Sequence, residues 1–290
     1  MGADLRSLLR TQGFPIRLKI VDAGAAQFED AHNRLVDLAE RFGGEVFAFE
    51  PNPDAHQKLK EIAKRHPNLH VLPLALGDGE EHELKVCRHP GGTSLFEPNL
   101  ALARRYEAFA EWLEVVDRIK LKTVKLDEVA EVRGVHFLKI DIQGAELAAL
   151  QCATSLFSTL LLVECEVNFV QQYIDQPLFS EIELFLRRHG FMFHKFCGYG
   201  SRQIAGTSLH DDPLSPGSQW LWSDAVFVRD ISHWATLSDD QLIIAAIFLH
   251  ELYDSNDLAL HALATVDARR NTRVSEFFAR SIGRGRSGAQ

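Results

Sequence analysis

The sequence predicts a doubly wound α/β fold: a mainly parallel sheet with helices on both faces, closed at the C-terminal end by a helical hairpin. Three observations predict it. Strand-length apolar runs alternate with runs of helical period from about residue 16 onward. Two of the strand runs, Val135 to Ile140 and Leu160 to Val167, are almost wholly apolar rather than alternating, as strands buried on both faces are. The chain of 290 residues is also long enough to bury one large core.

Ile16 to Ala23 reads as the first strand, followed by a helix carrying Leu35, Leu38, Ala39 and Phe42 that Gly43-Gly44 stops. Val46 to Phe49 is the second strand. A helix with Leu59, Ile62 and Ala63 ends near Pro67, and Leu69 to Leu76 is the third strand. Glu83 to Arg88 suggests an extra strand, and Tyr106, Phe109, Leu113 and Val116 an amphipathic stretch, so that about 83–120 reads as an insertion over the sheet edge. After the two apolar strands comes a helix with Ile182, Phe185 and Leu186 that ends at Gly190. Phe191 to Phe196 and Ala225 to Arg229 then form a short pair suited to antiparallel pairing at the edge. Ser238 with Gln241 is a capping box opening the first hairpin helix, and the second begins near Asp257. The division is a main body over 1–232, a hairpin over 233–268 and a basic flexible tail over 269–290. The hairpin serves either as a homodimer surface or as a cover for the sheet.

Composition excludes several classes. A hydrophobic fraction of 46% with 24% charged residues is that of an ordinary globular protein, which removes disordered and fibrous readings. No apolar run reaches the roughly 18 residues of a membrane span, and Met1 to Arg10 has no signal-peptide pattern, so a cytoplasmic protein is expected. A net charge of −9 disfavours nucleic acid. The arginines of the tail, Arg269 to Arg286, belong to a solvated terminus or to an arm for phosphate or membrane. Cys87, Cys152, Cys165 and Cys197 are scattered, which argues against a zinc site or a disulfide framework.

The chemistry gathers where strands end. In Val21-Asp22-Ala23-Gly24-Ala25 the first strand turns toward a helix, and ligands of open α/β sheets bind at such a turn because a small residue admits the backbone. Gly24 is the candidate for that approach, and Asp22 can accept hydrogen bonds from backbone or from a cationic ligand. Glu50, in Phe49-Glu50-Pro51-Asn52-Pro53, stands at the end of the second strand, where an acid grips both hydroxyls of a ribose; the alternative is a charge answering a helix dipole. The single glycine offers no pyrophosphate cradle, which makes a dinucleotide a poor fit. Period-two alternation sets Lys139, Asp141 and Gln143 on one side of the next strand, either as a transfer site or as a structural pair of Lys139 with Asp141 or Glu146. Glu164, Glu166 and Asn168 alternate likewise on the strand after it.

These segments resemble the FkbM-type methyltransferases that depend on S-adenosylmethionine (SAM). The resemblance covers about Ile20 to Phe196 and rests on VDAGA at 21–25, FEPNP at 49–53, ALGD at 75–78, GGTSLFEPN at 91–99 and above all LKIDIQGAEL at 138–147. It implies a class I, Rossmann-like methyltransferase fold with seven strands. Asp22, Gly24 and Ala25 then belong to the SAM turn, Glu50 with Pro51 and Asn52 to the ribose side, Gly77 and Asp78 to the adenine side, and Asp141 to the methionine end. It implies methyl transfer to a hydroxyl of a sugar, glycolipid, polysaccharide or natural product. The turn departs from the family pattern, with Ala26 for Asn and Phe28 for Gly.

A base must take the hydroxyl proton, and the candidates are Asp141, Glu166 and, behind them, His194. Asp141, Glu166 and Asn168 also form an oxygen set suited to Mg²⁺. Tyr106 or Trp112 of the insertion can stack on a sugar or pack the insertion down. The rival class is a non-catalytic methyltransferase-fold binding or assembly module, motivated by Ala26 and Phe28.

Overall fold

The computed structural model describes residues 5–25, 33–207 and 212–285; Ala26 and Phe28 lie outside them. In chain order the elements are α1 (Leu5–Thr11), β1 (Leu18–Ala23), α2 (Arg34–Phe42), β2 (Gly44–Phe49), α3 (Pro53–Ala63), β3 (Leu69–Leu72), β4 (Ala75–Leu76), β5 (Glu81–Cys87), α4 (Leu100–Ala103), α5 (Phe109–Trp112) and β6 (Val115–Val124). They continue with β7 (Phe137–Ile140), α6 (Glu146–Gln151), β8 (Leu162–Asn168), α7 (Phe179–Arg188), β9 (Phe191–Ser201), β10 (Trp220–Arg229), α8 (Asp239–Tyr253), α9 (Asn256–Arg270) and α10 (Val274–Gly285).

Seven strands form the main sheet in the order β3-β2-β1-β7-β8-β10-β9. All pairings are parallel except those of β10, which runs antiparallel to both β8 and β9. Each face carries its own core. On β1, Leu18 and Ile20 pack with α1, α2 and the C-terminal helices, whereas Val21 and Ala23 pack on the other side with residues of α6 and α7. Helix α8 is apolar all round, every side chain from Leu242 to Leu249 is buried, and Phe248 reaches Phe137 of the sheet at a ring separation of 5.1 Å. The hairpin therefore covers the sheet.

Three sequence expectations need revision. The third strand breaks at Pro73, which has no N–H for a ladder: Leu69–Leu72 stays in the main sheet, while Ala75–Leu76 pairs with β6 in a separate three-stranded sheet β4-β6-β5. The amphipathic stretch ending at Val116 is two short helices followed by a long strand, with Ala108 at φ +55° opening α5. Finally, part of the stretch read as a basic tail is α10, which Val274 and Phe278 anchor in the core.

The insertion makes a small core of its own from Ala103, Tyr106, Phe109 and Leu113 with Tyr173 and Leu221. This cap lies against the body where the central parallel strands end.

Candidate active site

A row of alternating charge crosses the sheet. Register places Asp22 of β1 beside Lys139 of β7, and Lys139 beside Glu164 of β8. Lys139 Nζ stands 3.9 Å from Asp22 Oδ1 and 3.8 Å from Asp141 Oδ2. Glu164, fully buried, is paired with Arg34 at the start of α2 and accepts a hydrogen bond from the Tyr253 hydroxyl of α8. Burial works against the Lys139 charge, but Asp22, Asp141 and Glu164 outweigh it and hold its pKa above the ordinary lysine value. Burial also raises Asp22, whose Oδ1 has no hydrogen-bond donor among the described residues. Asp22, Gly24, Ala25, Asn33, Arg34, Leu35 and Lys139 line a cavity of about 150 Å³. A larger one of about 440 Å³ lies at the other end of β10 around Arg229 and Trp234, away from the carboxylates.

Gly24 is fixed by the protein's own backbone. Its φ is +89°, and a Cβ there would stand 1.7 Å from the Asp141 carbonyl oxygen. Its N–H donates to Phe49 O, and Asp141 N–H donates to Ala23 O, so the β1 turn is wedged between the ends of β2 and β7. The glycine expected to admit a ligand is required first by the neighbouring strand.

Beyond β7 three carboxylates converge, with oxygens of Asp141, Glu146 and Glu166 within 4.8 Å of one another. Glu146, at the first turn of α6, accepts the N–H groups of Ile142 and Gly144 at 2.9 and 3.0 Å. Burial still pushes its pKa up to about 7, with those backbone donors opposing. Gln143 bridges the other two, its amide nitrogen 2.7 Å from Asp141 Oδ1 and 3.0 Å from Glu166 Oε2. Glu166 is hydrogen-bonded to Asp141, and burial, then the charges of Asp141 and Glu146, raise it well above the carboxylate range. Asp224, opposite Glu166 on β10, is pushed up to about 6 by burial and then by Glu164.

The cap fastens this cluster. Gln143 sits at φ +56°, unusual for a residue other than glycine. The Ser94 hydroxyl donates to its carbonyl at 2.5 Å, and the Tyr173 hydroxyl lies 3.0 Å from Gly92 O and 3.1 Å from Gln143 Oε1. The segments GGTSLFEPN and LKIDIQGAEL, far apart in sequence, thus touch.

Other expected residues make different contacts. Glu50, 4% exposed, accepts the Asn52 N–H at 2.8 Å through Oε1, and burial raises its pKa. Asn52 caps α3 by accepting from Asp54 and Ala55, with Pro51 joining the two. Gly77 and Asp78 belong to the turn of the small sheet: Gly77 N–H donates to Val124 O, and Asp78 takes bonds from Glu80 N–H and Thr123 beside His82. His82 is the main cause holding Asp78 below the usual carboxylate range. The oxygen set expected for Mg²⁺ is not assembled as read, because Asn168 Oδ1 is taken by the Gln172 amide and Glu146 stands beside Asp141 and Glu166 instead. His194 is bonded to Ser255 at 2.7 Å. Tyr106 packs the cap and donates to Gln219, while Trp112 stacks on His89.

Sequence reading missed Arg34, Tyr173, Asp224 and Tyr253. Of these only Asp224 carried a signal, a lone acid in the apolar run Trp222 to Val228.

Strand order, the antiparallel β10 and the acids at the strand ends define a class I SAM-dependent methyltransferase fold. Residues 22–193 match the methyltransferase FkbM domain, more than half of the chain, and the chain belongs to that family. Among curated proteins it is similar to the hexuronic acid methyltransferase AglP of Haloferax volcanii, 30% identical over 127 residues, which is 42% of this chain and 47% of that protein. The chain thus spans about half the length of the curated relative it matches. Solved structures to which it is similar include a precorrin-6y C5,15-methyltransferase of Geobacter metallireducens (TM-score 0.38, 10% identity, 77% of this chain and 84% of that one). Another is a SAM-dependent methyltransferase of Aquifex aeolicus (TM-score 0.33, 11% identity, 78% and 89%). Among the described residues no helix is long and apolar enough to cross a membrane.

Proposed function

We propose that this chain is an O-methyltransferase that uses SAM and acts on a hydroxyl of a sugar-containing acceptor. The observation that carries the reading is the Asp141–Glu166 pair under the cap, bridged by the Gln143 amide. An Asp22 oxygen buried without a donor among the described residues and the Glu50 carboxylate at the end of β2 suit a cationic nucleoside, and they would hold its ammonium group and its ribose hydroxyls. SAM, when bound, supplies an electrophilic methyl group. The protein's part is to orient the acceptor and to take its proton. Asp141 is the carboxylate that accepts the hydroxyl hydrogen, and Gln143 holds it in line with Glu166. The similarity to a hexuronic acid methyltransferase supports a sugar as the acceptor class.

The test is calorimetry with SAM and S-adenosylhomocysteine, followed by transfer of labelled methyl to hexose and hexuronic acid glycosides. Asp141→Asn is expected to lower kcat by about 100-fold or more, the scale of a lost general base. An ether product survives alkali. No heat with either nucleoside would favour a binding module, and an alkali-labile methyl would move the acceptor atom from hydroxyl to carboxylate.

A further inference from the structure

Arg202, just after β9, is enclosed in an unusual way. Its guanidinium lies over Trp112 of the cap at 4.9 Å and over Trp222 of β10 at 5.3 Å, so two indoles hold it. Its Nη1 donates to the Ser201 carbonyl, and its Nε is buried with no acceptor. Among the described residues no carboxylate lies within ion-pair distance of it. Burial lowers its pKa, opposed only by the more distant charge of Asp212. The neighbouring Ser201 hydroxyl, 3% exposed, also lacks a partner. Arg229, the other half-buried arginine of the last strands, differs because its Nε and Nη1 are spent on the carbonyls of Leu160 and His189. A half-buried cation with no anion beside it among the described residues is a place where a ligand anion can complete the pair.

Its position gives the ligand. Trp222 is the register partner of Asn168 at the end of β8, and the Asp224–Glu166 pair lies two residues further along. On the other side Trp112 packs on Gly92, whose carbonyl meets the Tyr173 hydroxyl beside Gln143. Arg202 therefore stands between the cap and the strand ends that carry the carboxylate pair. An acidic sugar entering beside these carboxylates needs a cation to receive its charge.

We propose that Arg202 is the specificity residue of the acceptor site, receiving a ring-borne anion, carboxylate or phosphate, between Trp112 and Trp222. This rests on the sugar-transferase reading above. A planar guanidinium whose Nη2 makes no hydrogen bond among the described residues suits either anion.

The experiment titrates the full chain, with and without S-adenosylhomocysteine, with methyl glucoside, methyl glucuronoside and glucose 6-phosphate. At least one anion is expected to bind about tenfold more tightly than the neutral glucoside, the scale of a charge-assisted pair, and which one does so names the source of the charge. The preference is expected to vanish in Arg202→Gln and to survive in part in Arg202→Lys, with S-adenosylhomocysteine binding unchanged in both. Equal or absent binding of all three probes by the wild type overturns the assignment whatever the variants do, as does a preference that persists in Arg202→Gln. A preference that Arg202→Gln abolishes, found without any nucleoside binding, upholds Arg202 and removes the transferase reading; nucleoside binding without the preference does the reverse.

Discussion

Replacing Gly24 by alanine tests the wedge on which the site is built. The added Cβ would stand 1.7 Å from Asp141 O, whereas carbon and oxygen settle roughly 3.5 Å apart. Backbone must therefore yield by well over an ångström, since no flexible side chain is there to move. That displacement breaks the 2.9 Å bond from Asp141 N–H to Ala23 O, and stranding two buried backbone groups costs about 1–3 kcal/mol. Holding alanine at φ +89° adds about 1–2 kcal/mol. The expected loss is roughly 2–5 kcal/mol in all, a large part of the total stability of a domain. Urea denaturation measures it, and Gly134→Ala is the control: φ there is +76° but nothing lies within 4 Å, so only the conformational part remains, about 1–2 kcal/mol. Equal losses at the two positions, or a loss at Gly24 under about 1 kcal/mol, would refute the wedge.

Three further outcomes are expected. Glu146 has its pKa raised to about 7 from 4.5, so its contribution is complete below pH 4.5 and is lost as pH rises through 7; relative to Glu146→Gln, the wild type should lose about 2 kcal/mol between about pH 5.5 and 8, and a gap that does not move with pH would contradict this. Tyr253→Phe removes the hydroxyl donor to buried Glu164 and should cost about 1–3 kcal/mol in a urea melt. Phe278→Ala empties a fully buried ring site in α10 and should cost about 3–5 kcal/mol; a negligible change would mean that this helix is not part of the folded unit.

Much of the fold was legible because burial on two faces leaves an unmistakable trace. Val163, Cys165 and Val167 face one core while Leu162 packs in the other, so β8 reads apolar throughout until its acids. The acids at strand ends were legible for the opposite reason, since a carboxylate at the end of an apolar run needs a purpose. β6 was illegible: it forms part of a small ribbon with Val116 and Ile119 exposed, and no apolar face marks it as a strand. α10 was hidden by its arginines, because two anchors, Val274 and Phe278, carry the burial. Arg34 and Tyr253 could not be read at all. Their partner Glu164 lies 130 and 89 residues away, and only tertiary structure introduces them.

The Ser94 and Tyr173 contacts to Gln143 make the cap and the carboxylate cluster one mechanical part. Whatever moves the cap also tilts the amide that spans Asp141 and Glu166, so the two shift together. Lesions in GGTSLFEPN should consequently surface as altered pH–rate curves, even where no atom of that segment meets the acceptor.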